Sequence, residues 1–237
     1  MNHFRPLALL ICFCPAVRAA VLINESGLQL DSLLPANVQG QFGAYTRARL
    51  SDGTYVNMSP NYNGNGDYFW FYSSGSPRIY PGADNTSTTS GTISTPNSLY
   101  APPGNGIDSI IRVDATLSPG QTGIQITGSV LHFQITGPSN VSDGVTALIF
   151  TDLSGYGSPI WSHTFTTNNG SPSESLDITV PFTGASSLYF AISDNGSFIA
   201  DHTEWVDIRL AAVPEPSSAA CVMAGFAGLL IARRRRN

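Results

Sequence analysis

The run Asp201-His202-Thr203-Glu204-Trp205 places two carboxylates, an imidazole and an indole within five residues. Such side chains hydrogen-bond hydroxyl groups and stack on the apolar face of a sugar ring, so Asp201, His202 and Trp205 are candidate ligand contacts. They also read as a structural turn, with Asp201 capping it and Trp205 opening a buried strand. A second concentration is Tyr68-Phe69-Trp70-Phe71-Tyr72, five consecutive aromatics after a polar loop. On a strand, Tyr68, Trp70 and Tyr72 share one face and Phe69 and Phe71 the other. The run is either sandwich core or part of a platform, and the more polar face, Tyr68, Trp70 and Tyr72, is the better ligand candidate.

Catalysis has less to draw on. A nucleophile needs a nearby base, yet there is no Gly-x-Ser-x-Gly elbow, no His-Glu-x-x-His and no Cys between residues 20 and 212. His132, His163 and His202 are widely scattered, and no catalytic residue is assigned. We expect no enzyme; the hydrolase alternative requires these His and carboxylates to meet in a pocket. No cofactor is expected. The oxygen-rich turns Asp143-Gly144, Asp152 and Asp194-Asn195-Gly196 could contribute to a structural Ca²⁺ site of about six to eight oxygens, but none has calcium-loop spacing and turn chemistry also explains them.

These residues must be positioned by strands. Period-two alternation with β-branched and aromatic residues recurs over 109–113, 123–127, 130–135, 145–151, 159–165, 176–182, 188–193 and 205–210. Less regular segments at 21–24, 42–50, 55–58 and 68–72 read as earlier strands, and Ser- and Thr-rich residues 84–97 read as a long surface loop. The prediction is an all-β exported region over 20–212, a β-sandwich or jelly roll, most regular over about 107–211. That block resembles jelly-roll modules of exported proteins and, more loosely, galactose-binding-like and NPCBM-type carbohydrate-binding folds. The resemblance is carried by Asp143-Gly144-Val145, Leu188-Tyr189-Phe190-Ala191-Ile192 and the run 201–205, and it implies a lectin-like binding alternative.

Charge is sparse and uneven. Residues 20–212 carry fifteen Asp or Glu against five Arg, a balance of −10, which repels nucleic acid. Four of the eleven Arg stand together as Arg233, Arg234, Arg235 and Arg236. With Cys12, Cys14 and Cys221 confined to the two ends, the central region is expected to fold without disulfides.

The ends themselves read as sorting signals. Arg5, an apolar stretch, Pro15 and the small residues Val17 and Ala19 compose a secretory signal peptide over 1–19, with cleavage leaving Ala20 as the first residue. The expected partners are the secretion translocon and signal peptidase. At the far end Val213, Pro214, Glu215 and Pro216 precede an uncharged run, an apolar helix over 217–232, then the Arg cluster. The prolines are expected to break any preceding strand. Residues 219–232 as helix span about 21 Å, short of the ~30 Å hydrocarbon core, which suits a single transmembrane-type helix used as a transient anchor. The Arg cluster should stay cytoplasmic, so the domain faces outward.

The Pro214-Glu215-Pro216 motif, apolar run and Arg cluster closely resemble a PEP-CTERM sorting signal over 213–237, a segment whose models also carry the label "ice-binding protein C-terminal". The resemblance implies recognition by an exosortase, cleavage near the motif, and a diderm bacterium that makes exopolysaccharide. It implies an inner-membrane intermediate released to the cell surface, extracellular space or biofilm matrix. The expected role is non-catalytic, structural or adhesive, in association with polysaccharide.

Overall fold

The computed structural model describes residues 20–34, 40, 42–62, 68–72, 77–81, 86–88, 91–93, 97–133, 143–166, 173–182, 186–196 and 201–215. The expected signal peptide with Val17 and Ala19, and the tail from Pro216 through Arg233 to Arg236, lie outside the described residues. Among the described residues no helix is long and apolar enough to cross a membrane.

The strands are β1 (Val21–Ile23), β2 (Leu28–Gln29), β3 (Ala44–Arg49), β4 (Tyr55–Asn57), β5 (Ser59–Tyr62), β6 (Tyr68–Phe71), β7 (Arg78–Pro81), β8 (Thr86–Thr88), β9 (Gly91–Ile93) and β10 (Ser98–Tyr100). They continue with β11 (Asp108–Leu117), β12 (Gln121–Phe133), β13 (Val145–Phe150), β14 (Trp161–Phe165), β15 (Ser173–Pro181), β16 (Ser186–Asp194) and β17 (His202–Pro214). Among the described residues the structure is all-β, with only two short 3₁₀ turns, Asp31–Leu33 and Leu153–Gly157.

Two antiparallel sheets pack face to face. Sheet A runs β14-β13-β16-β11-β3-β4, with β1 alongside β11 in parallel, and sheet B runs β15-β12-β17-β10-β7-β6-β5, with β2 on β17. The alternation that marks each strand decides which residues fill the gap. In β11 the odd residues Ile111, Val113 and Ala115 join the main core, while Asp108, Ile110, Arg112 and Asp114 face away from it. Phe190 of sheet A meets Trp205 of sheet B edge to face at 5.5 Å, one of the contacts that close the sandwich.

The early strands join the same two sheets as the 107–211 block: β3 and β4 extend sheet A, and β5, β6, β7 and β10 extend sheet B. A thin run of strands buries its apolar side by adding to existing sheets. The expected loop over 84–97 contains the β8–β9 hairpin. The two strands expected over 123–127 and 130–135 are one strand, β12, interrupted by a register shift between Thr127 and Ser129. Gly128 occupies that shift at φ +136°, opposite Asp207 at φ +50°. The prolines do not end the last strand before the motif. β17 continues through Pro214, paired with Gln121, and the Glu215 N–H donates to the Gly120 carbonyl at 2.8 Å. Proline is tolerated there because a strand terminus needs no further ladder donor.

Candidate functional site

The two clusters singled out by sequence lie in one sheet, since β6 reaches β17 through β7 and β10. Their alternation is the reverse of the one that would suit a ligand. Trp70 and Trp205 are each 1% exposed within the sandwich core, and Tyr72 packs against it. The side chain of Tyr68 lies outside the described residues. Asp201 is buried, and Val213 and Pro214 end β17, an inner strand of sheet B, with Glu215 just beyond it. The outer side of sheet B instead carries Phe71, Phe69, Tyr80, Tyr100 and His202 in sequence across four strands, with ring centroids 5.9, 4.8, 5.6 and 5.6 Å apart.

That row is poorly built to hold a sugar. Phe69 stacks on Tyr80 at an interplanar angle of 17°, and Tyr100 on His202 at 18°, so the faces a pyranose would need are covered by neighbouring rings. The Tyr100 hydroxyl also hydrogen-bonds His202 Nδ1. Burial, with His132 nearby, depresses His202 to a pKa of about 4. His132 itself lies between the sheets beside Thr203 and Phe165, and burial lowers its pKa too. His163 approaches Glu174 instead, at 3.7 Å. The described histidines thus do not gather around one carboxylate.

A richer constellation lies on the outer side of sheet A, which sequence reasoning missed. Register places Tyr55, Arg49 and Asp108 in one row across β4, β3 and β11. Tyr45, Arg112, Tyr189 and Phe150 form another across β3, β11, β16 and β13. Between them runs a floor of Ile110, Ala191 and Leu148, flanked by Arg47 and Asn57. The 3₁₀ turn Leu153–Gly157, capped by Asp152 accepting from the Gly155 N–H, folds back over this face. Its Tyr156 packs on a second, smaller core formed by Ile110, Leu148, Phe150, Tyr189 and Ala191, and meets Phe150 edge to face at 5.6 Å.

Two guanidinium–carboxylate pairs bracket the floor. Arg112 grips Asp114 through Nε at 2.6 Å and a second nitrogen at 3.0 Å, and Ser187 Oγ donates to the same carboxylate at 2.7 Å. Arg112 also lies 5.5 Å from the Tyr45 ring. Arg49 pairs with Asp108 at 3.4 Å and lies 4.0 Å from the Tyr156 ring centroid, while the Tyr156 hydroxyl donates to Asp108. Burial pushes the Asp108 carboxyl above its ordinary range, against the opposing pull of Tyr156 and Arg49. Burial likewise raises Tyr156, so its phenol stays a donor throughout the neutral range. Tyr45, Arg47, Arg49, Tyr55, Arg112 and Tyr156 all keep partial exposure. The outcome is a polar, aromatic-edged surface of preset donors and acceptors. The signal available in sequence was the outward half of Ala44–Arg49, where Tyr45, Arg47 and Arg49 alternate with small buried residues.

Of the calcium candidates, the 143–144 and 194–196 turns lie side by side, with Val145 in register with Asp194, while Asp152 stands apart and accepts within its own 3₁₀ turn. Asp194 accepts from the Gly106 N–H and Asn195 from the Thr146 hydroxyl. Among the described residues no three His, Cys, Asp or Glu side chains group as metal ligands.

No family model matches this sequence, and no curated protein matches it. Among solved structures, the chain is similar to a cyclase from Fischerella sp. TAU, at 12% identity and TM-score 0.40, covering 84% of this chain and 99% of that one. It is also similar to the CBM51-2 and INT domains of Clostridium perfringens ZmpB in complex with GlcNAc, at 12% identity and TM-score 0.34, over 79% of this chain. The chain spans only 32% of that Clostridium structure. A family 11 carbohydrate-binding module from Clostridium thermocellum, in complex with a β-1,3-1,4-mixed-linked tetrasaccharide, shows 8% identity and TM-score 0.28 over 76% of this chain and 94% of the module. The neighbours thus include both carbohydrate-binding modules and an enzyme, and likeness at this level leaves ligand and activity to be argued from this chain's own residues.

Proposed function

We propose that this chain is an exported, non-catalytic surface protein whose sandwich contacts polysaccharide through the outer side of sheet A. The observation that carries the reading is the pair of ion pairs, Arg112–Asp114 and Arg49–Asp108, set among partly exposed Tyr45, Tyr55 and Tyr156. A bidentate guanidinium held by a carboxylate offers donors at a fixed angle, and the adjacent rings offer apolar surface, which together suit a hydroxylated ring. From β11 to β17 the strands alternate between the sheets except at the β13–β14 hairpin, which supports a jelly-roll reading of the framework.

Export supplies the context. The apolar leader with Val17 and Ala19, the Pro214-Glu215-Pro216 motif, the apolar run and Arg233–Arg236 support translocation, a membrane-held intermediate and exosortase processing towards the cell surface. Glycan-array binding followed by calorimetry tests the ligand claim. The expected result is a soluble or matrix polysaccharide bound by the wild type and bound about tenfold more weakly by Arg112→Ala and Tyr45→Ala, equivalent to ~1.4 kcal/mol. Equal binding by wild type and both variants, or no binding to any polysaccharide, would overturn it. Intact mass of the natively secreted protein tests the export claim separately.

A further inference from the structure

One end of the sandwich is tied to the tail with almost no slack. The last hydrogen bond of β17 is made by Glu215, whose N–H donates to Gly120 at 2.8 Å, and Pro214 is in register with Gln121. The uncharged apolar run begins at Ala219. Four Cα steps separate Glu215 from Ala219, and a fully extended chain covers about 14 Å in that distance.

We propose that, while the tail is membrane-held, the end of the sandwich bearing the β11–β12 turn rests against the lipid headgroups. The inference rests on the reading of 219–232 as a membrane anchor. Register identifies what that end contains. β11 finishes at Leu117 and β12 begins at Gln121, so residues 118–120 turn beside Pro214. β1 runs parallel to β11 with Ile23 opposite Leu117, and the Asn24 carbonyl accepts from Ala212, which brings the turn 24–27 to the same end. β15 finishes there too, with Pro181 opposite Gly123. Pro119 and Gly120 are exposed, and Leu22 on β1 is 53% exposed. Glu25 in the 24–27 turn and Glu215 just after β17 are acidic, and Arg209, which donates to the Ser26 carbonyl, offsets one of them, so attraction to anionic lipid does not account for the contact. The short tether does. The far end, with the turn Ser51–Gly53 and the start of β17 at His202, is held away by the length of the strands.

The test uses the chain from Ala20 onward, which lacks Cys12 and Cys14, with Cys221→Ser and one environment-sensitive dye on Pro119→Cys or on Ser51→Cys, reconstituted into phosphatidylcholine–phosphatidylglycerol vesicles with a nitroxide on the headgroup. Flotation reports first whether the chain is membrane-held. The expected result is co-flotation, loss of most emission from the residue-119 dye, and retention of emission from the residue-51 dye. Inserting ten Gly/Ser residues after Ser218 should restore emission at position 119. Co-flotation with equal quenching at both sites, or quenching that survives the insertion, overturns the tether while leaving the anchor reading intact. Failure to float overturns the anchor reading and the proposal with it.

Discussion

Tyr156 donates its phenolic hydrogen to Asp108 across the outer side of sheet A, joining a surface turn to the first residue of a central strand 48 positions earlier. The same carboxylate receives Arg49, whose guanidinium lies over the Tyr156 ring. The turn is therefore fastened by two contacts to one row of side chains.

Tyr156→Phe keeps the ring on the small core that includes Ile110 and Leu148 but deletes the hydroxyl, leaving the buried Asp108 carboxylate to Arg49 and Ser193. The expected loss is about 1–2 kcal/mol in urea unfolding with an unchanged m-value. Unchanged stability would show that Arg49 and Ser193 suffice for Asp108.

Acidification should destabilise the sandwich through His202. Its folded pKa, about 4, lies below the 6.5 of the unfolded side chain, with burial the main cause and His132 the second. A depressed histidine contributes stability that is present above pH 6.5 and lost as pH falls towards 4, because the unfolded state then binds the proton first. The integrated effect is of order 2–3 kcal/mol, read as a falling Tm between those pH values. His202→Phe should flatten that slope, and an equally steep slope in the variant would assign it to other groups.

Core placement of Trp70 and Trp205 has a spectroscopic consequence. In Trp161→Phe the two remaining indoles are each 1% exposed, so native emission should be blue-shifted and resistant to acrylamide. Added glycan should leave it unchanged. Trp205→Ala should cost about 3–5 kcal/mol, seen as a lowered urea midpoint.

The β12 irregularity depends on glycine. A Cβ at Gly128 would stand 2.8 Å from the carbonyl oxygens of both Val206 and Asp207, at a φ of +136° that L-residues rarely adopt. Gly128→Ala is expected to lose at least ~2 kcal/mol. Across the ladder, Asp207 at φ +50° is held by Asn97, which donates to its Oδ1 at 3.1 Å. Asp207→Asn should be tolerated within about 0.5 kcal/mol, since Asn accepts the left-handed region as readily. Thermal unfolding of the two variants separates these outcomes.

Strand positions from 109 onward were legible where one-sided burial imprints alternation, as in Ser173–Pro181, whose Leu176 and Val180 are buried between exposed neighbours. The all-β class, the acidic balance, the absence of Cys from 20–212 and the leader-and-tail pattern are likewise properties of the residues themselves. Period two says which side chains share a face, but not which face is inside. For Tyr68–Phe71 every residue is aromatic, so no polar side marks the solvent, and only packing against sheet A turned Trp70 inward and left Phe69 to stack on Tyr80. Ser186–Asp194 is apolar on both faces for a different reason: Tyr156 and its turn cover the outer one, bringing Tyr189 and Ala191 into a second small core. The constellation around Asp108 and Arg112 draws on β3, β4, β11, β16 and the 153–157 turn, segments spread over more than a hundred residues. Cross-strand register is a property of the assembled sheet, and the sequence carries no local signal for it.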